Sequence, residues 1–187
     1  MAKILTSKLK KNAKKKKRPS FVKPMLATLT HEYFSDPDWL YERKFDGERC
    51  VIVGTKNKIN LYSRNRKKLN QRYPELVSGF KKAKKSYDFI IDGEIVAFDG
   101  QVTSFSKLQG RIGLTKEKEI SQSKVKVYIY VFDVPYVEGY DVSKLALENR
   151  KKILPKILNY QDPMRLTKFR KKEGEKFHRQ ACQKGWE

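Results

Sequence analysis

The chain has 187 residues, 39% of them hydrophobic, enough for one domain with its own core. Lysine and arginine number 43 against 21 acidic residues, and the resulting formal net charge of +22 points to a polyanionic partner, nucleic acid first. Two distant cysteines, Cys50 and Cys182, give neither a disulfide framework nor a CxxC zinc site and fit a reducing, intracellular setting. No apolar run approaches the roughly 20 residues of a membrane span or forms the core of a secretory signal, so no membrane partner is expected.

Taken in chain order, residues 1–20 contain KLKKNAKKKKRP, nearly all cationic and without apolar periodicity, and read as a disordered basic tail. Such a tail serves electrostatic capture of nucleic acid, a nuclear address in a eukaryotic host, or solubility. Residues 21–187 read as one domain. In YERKFDGER, an extended backbone projects Glu42, Lys44 and Asp46 to one side, and Asp46-Gly47 is a strong turn signal. CVIVGTKNKINLYSR reads as a hairpin, and YPELVSGFKKAKK as a surface helix with Pro74 in its first turn and Leu76, Phe80 and Ala83 inward. DFIIDGEIVAFDG reads as a buried strand, with Asp92 and Glu94 on one side and Ile91, Ile95 and Ala97 on the other. A helix follows around TSFSKLQGRIG. KVKVYIYVFDVPY alternates, with Val125, Val127, Ile129 and Val131 on one face and Lys126, Tyr128, Tyr130 and Phe132 on the other. A third helix occupies VSKLALENRKKILPKIL, kinked or divided by Pro155, and a fourth EKFHRQACQK, stopped by Gly185. The mixture makes the fold α+β. Met25 and Met164 read as packing residues, and His31 and His178 stand too isolated to be metal ligands.

The chemistry concentrates on three strands. Asp92 and Glu94 interrupt a buried run and need a metal ion or another cation beside them. The face of Tyr128, Tyr130 and Phe132 fits core packing first and base stacking second. A lysine amine is a nucleophile only when neutral, which takes desolvation or nearby cations such as Arg43, Arg49 or a divalent ion; otherwise Lys44 belongs to a salt-bridged turn.

KFDGER resembles the KxDGxR nucleotidyl-transfer motif of ATP-dependent DNA ligases, RNA ligases and mRNA capping enzymes. SRN at Ser63 to Asn65, DGE at Asp92 to Glu94 and YVFD at Tyr130 to Asp133 follow in the family's order. PMLAT at Pro24 to Thr28 and FSKLQGR at Phe105 to Arg111 resemble the ligase domain of bacterial and archaeal ligase D enzymes. The resemblance runs from Phe21 to Glu187. It implies a nucleotidyltransferase (ATP-grasp-like) adenylation domain of antiparallel sheets flanked by helices, using ATP and a divalent metal, Mg²⁺ or Mn²⁺, on nicked or broken double-stranded DNA in repair, replication or recombination.

Residue by residue, the resemblance makes Lys44 the nucleophile that becomes lysyl-AMP. It gives Glu42 a contact to adenine, Phe132 a stack on it, Arg49 and Arg64 the ribose or phosphates, and Glu94 the ribose or metal. Asp46 supports Lys44, and Glu187 matches the metal-associated glutamate opening the fourth motif. Arg66 stands where the family usually has glycine. The fifth motif and the OB-fold domain are expected in a missing C-terminal part, so the domain reads as incomplete, with exposed sheet edges open to self-association. The cytoplasm or nucleoid, or a eukaryotic nucleus, is the expected location. An RNA ligase, a capping-type enzyme, or a catalytically incomplete nucleic-acid-binding fragment are the alternatives.

Overall fold

The computed structural model describes residues 4–85 and 87–186. Its centre is a hairpin of β3 (Glu48–Gly54) and β4 (Ile59–Ser63) extended antiparallel by β5 (Phe89–Val96) and β8 (Tyr128–Val137). Beyond β8 the order continues through β9 (Tyr140–Asp141) to β1 (Lys14–Lys15), while β10 (Met164–Leu166) pairs with β8 in parallel. Strand alternation divides the sheet into two faces. Cys50, Ile52, Ile91, Ile95, Ile129 and Val131 face a large core closed by α2 (Pro74–Ala83) and α5 (Leu147–Ile157). On the opposite face Val51, Val53, Ile90 and Tyr136 form a smaller cluster under Phe21 and Val22, and it is this face that carries Arg49, Asp92 and Glu94.

Between β5 and β8 lie the short paired strands β6 (Phe98–Asp99) and β7 (Val102–Thr103), then α3 (Phe105–Ile112) and α4 (Glu117–Gln122). The period-2 and helical readings hold for β3, β4, α2, β5, α3, β8 and α6 (Gly174–Gln183). Leu76, Phe80 and Ala83 are buried as their spacing requires, and Gly185 takes φ 62° just past α6. Pro155 does not divide α5: the helix continues through it and ends two residues later. Met164 is buried as expected, but Met25 is 70% exposed and acts through its main chain, as described below.

The segment expected to be a disordered tail is ordered over residues 4–16. Ile4 and Leu5 are fully buried in the main core, α1 (Ser7–Asn12) follows them, and β1 pairs with β9. Two apolar residues ahead of the lysine run anchor it, and the run offers its cations to the surface, as where Lys16 meets Asp141 at 3.3 Å.

Arg66, at the family's glycine position, has φ 62°, in the left-handed region that costs a side chain about 1 kcal/mol or more. Its guanidinium donates to Ser20 Oγ at 3.0 Å, an exposed contact of small worth. Arg66→Gly is expected to raise stability by about 1 kcal/mol, measured by chemical denaturation. An unchanged or lowered midpoint would show that the arginine's contacts outweigh its backbone strain.

Candidate active site

The short strand β2 (Leu40–Glu42) pairs with β11 (Phe169–Lys171) in a small second sheet and delivers the chain into the Lys44 turn. That turn is fixed from both sides. A Cβ added at Gly47 would lie 2.1 Å from the carbonyl oxygen of Ile95, so only glycine lets the loop pass this close to β5. The Asp46 amide donates to Thr103 Oγ1 at 3.2 Å, and Asp46 Oδ2 accepts the Phe105 amide at 2.7 Å, at the first turn of α3. Lys44 is thereby held between β2 and β3 on a loop with little freedom.

A cavity of about 480 Å³ opens at this loop, and its walls include Glu42, Lys44, Asp46, Arg49, Arg64, Glu94 and Phe132. These are seven of the eight residues singled out from the sequence; Glu187 lies outside the described residues. A larger hollow of about 820 Å³ lies elsewhere, bordered by the buried Arg111, which pairs with Glu75 at 2.9 Å. It touches none of the seven.

Glu94 sits opposite Arg49 across the β3–β5 pair and opposite Tyr130 across β5–β8. Gly93 beside it is pressed against β8, where a Cβ would meet the Tyr130 carbonyl at 2.6 Å. The pairing slips between Asp92 and Gly93, a bulge that leaves Phe132 unpaired on β8 and turns its ring to the cavity. Arg49 binds Asp92 through two parallel bonds of 2.7 Å, donates to the Met25 carbonyl at 3.0 Å, and lies 4.7 Å over the Phe132 ring. It is therefore a wall of the site as much as a ligand grip. Arg64 makes no hydrogen bond or ion pair among the described residues, which leaves its charge for a bound anion.

Burial, reinforced by Asp92 and Glu48 and opposed by Arg49 and Lys44, pushes the Glu94 carboxyl up to about 7. The folded chain then keeps a proton that the unfolded chain has already lost, so stability is fullest below the ordinary glutamate range and falls as pH rises toward 7. The loss from this group is about 3 kcal/mol, and burial of Glu42 and Asp92 raises their carboxyls too, with the same sign. Glu94→Gln is expected to flatten the slope between about pH 5 and about pH 8 in denaturant titrations. A variant as pH-sensitive as the wild type would refute the assignment.

Three contributors had no role assigned from the sequence, Asp133 among them although it closes the YVFD motif. Lys151 of α5 donates to both Glu42 Oε1 and the Phe132 carbonyl from a side chain only 2% exposed. Asp133 is gripped by Arg150 at 2.7 and 3.0 Å. Thr167, in the cavity wall, keeps a buried hydroxyl with no partner among the described residues. Leu26 and Ala27 also line the cavity, which gives the PMLAT segment its place.

The sheet arrangement matches solved structures of one class, the nucleotidyltransferase fold of ligase domains. A mycobacterial DNA ligase D complexed with ATP and MES superposes with TM-score 0.72 at 23% identity, over 88% of this chain and 51% of that one. The ligase domain of M. tuberculosis LigD follows at TM-score 0.65 and 21% identity, over 84% and 50%. The chain belongs to the family described as ATP dependent DNA ligase domain, whose model matches residues 24–187. Relatives named DNA ligase include those of Hyperthermus butylicus, 32% identical over 157 residues, and Saccharolobus islandicus, 32% identical over 161. Each alignment covers 78% of this chain but only 25% and 26% of the relative, so the chain spans about a quarter of their length.

Proposed function

We propose that this chain is the adenylating part of an ATP-dependent DNA ligase. The supporting observation is the convergence of Lys44 and its six expected helpers, from four stretches of the chain, on one cavity. In the first step the neutral Lys44 amine attacks the α-phosphorus of ATP. The N–P bond forms as the bond to the bridging oxygen breaks; pyrophosphate leaves with that electron pair, the amine proton passes to water, and AMP stays on Lys44 as a phosphoramidate. AMP then passes to the 5′-phosphate of nicked or broken DNA, and attack by the 3′-hydroxyl joins the strands and frees AMP.

Phe132 and Glu42 take the adenine, Arg64 and Arg49 the ribose and phosphates, and Asp46 steadies the Lys44 loop through α3. A divalent ion, Mg²⁺ or Mn²⁺, would be held by Glu94 and would stabilise charge at phosphorus. One cavity carboxylate fits an ion whose other ligands are phosphate oxygens and water, and no cluster of three metal-ligating side chains occurs among the described residues. Glu187 is proposed as a further metal contact. The net charge of +22 suits a DNA partner, with repair, replication or recombination as the setting, in the compartment that holds the DNA. No described helix is long and apolar enough to cross a membrane.

The test is intact mass after incubation with ATP and Mg²⁺, with GTP in parallel. An AMP-sized addition from ATP alone supports the reading. A GMP adduct would move the chain to the capping-type chemistry, and salt-sensitive DNA affinity with no adduct would favour a binding fragment.

A further inference from the structure

One buried ion in the site has no part in the steps above. Lys151 has 2% of its side chain exposed, and an ammonium at that depth is costly unless it is fully paired. Attachment of α5 does not require it. Arg150 already ties the helix to β8 through Asp133, and Ile153, Leu154 and Ile157 pack into the main core. What Lys151 touches instead is the Glu42 carboxylate and the main-chain carbonyl of Phe132, the two residues to which the proposed function gives the base. We infer that Lys151 sets the base preference of the site, holding Glu42 as a hydrogen-bond acceptor beside the Phe132 ring so that adenine is taken and guanine refused. The inference rests on the proposed adenylation.

The chemistry is that of a carboxylate edge. An ionised carboxylate only accepts hydrogen bonds. Adenine presents an exocyclic amine where guanine presents a carbonyl oxygen, so an ionised Glu42 matches the first and repels the second. The cavity works against that state, because burial raises the Glu42 carboxyl from its ordinary range and the Lys151 charge and hydrogen bond oppose the rise. Without the ammonium that opposition to the rise is lost, which favours the protonated carboxyl, and a protonated carboxyl can donate to the guanine carbonyl. Lys151 also fixes the backbone of Phe132 at the bulge, so edge and stacking ring are held in register by one group.

The experiment compares binding of ATP and GTP, by calorimetry, to the wild-type chain, Lys151→Met and Lys151→Arg, with melting curves for each. The wild type is expected to prefer ATP. Lys151→Met should lose at least about tenfold of that preference, and Lys151→Arg, which keeps the charge, should retain most of it. If Lys151→Met does not fold, Lys151→Gln against Lys151→Arg carries the same comparison. A variant without the charge that binds both nucleotides more weakly by one common factor would make Lys151 merely structural and overturn the inference while leaving adenylation intact. A wild type that binds neither nucleotide would overturn the proposed function and this assignment with it.

Discussion

Lys44→Ala is expected to abolish the AMP adduct outright, a fall of more than about a thousandfold in the rate of its formation. Lys44 is the one lysine among the described residues that wall the cavity. Lys151 stands behind Glu42 with its ammonium in contact with Glu42 and Phe132, and the remaining cations of the wall, Arg43, Arg49 and Arg64, carry guanidinium groups and offer no amine. The informative companion is Lys44→Arg. If the residue served only as a cation for a phosphate backbone, arginine would replace it and DNA affinity would be the property at stake. If it is the nucleophile, both variants fail equally at adduct formation while retaining the wild-type melting temperature, because the loop is held by Gly47 and Asp46 and not by Lys44 alone. Intact mass after incubation with ATP and Mg²⁺ reads the difference. An adduct persisting in Lys44→Ala would move the nucleophile elsewhere and sink the assignment.

The residues that can be recognised in the sequence are those whose meaning is local. Alternation along β5 places Asp92 and Glu94 on one side before any tertiary contact is known, and the structure keeps that parity, while the β3–β5 register brings Arg49 to the same face. A Lys-x-Asp-Gly turn carries its own geometry. The unread parts depend on what folds against them. Arg150 and Lys151 lie in a charged helical run that resembles a solvated face, yet both are buried, because Asp133 and Glu42 wait across the helix–sheet junction. Strict alternation places Phe132 beside Tyr130, but the bulge at Asp92 sets its approach, and a bulge leaves no mark in a two-residue period. Ile4 and Leu5 are too few to announce a buried segment ahead of so many lysines, and only their place in the core reveals it. Asp46 shows a finer limit. The motif makes it a companion of Lys44, whereas its carboxylate is engaged by the Phe105 amide of a helix 59 residues later in the chain.

The same junction gives the largest expected loss of stability. Asp133→Ala should cost about 3–5 kcal/mol, because it strands a guanidinium rather than removing a favourable contact alone. Arg150 has 7% of its side chain exposed, and its Nε and Nη2 point at Asp133 while Nη1 reaches the Ser143 and Leu145 carbonyls. Those two carbonyls cannot neutralise the charge once the carboxylate is gone. Removing both partners is a different matter: in Asp133→Leu with Arg150→Met no charge is left unpaired, and most of the loss should return, a strong positive coupling in a double-mutant cycle. Denaturant titrations of the four proteins measure it. The single variant should also weaken ATP binding, since Asp133 follows the bulged Phe132 and Arg150 precedes Lys151, so slack at this pair reaches both the stacking ring and the Glu42 edge. A cost below about 1 kcal/mol would mean that Arg150 swings out to water when released, and the junction would then be a soft hinge between α5 and the sheet instead of the rigid back wall that the nucleotide site requires.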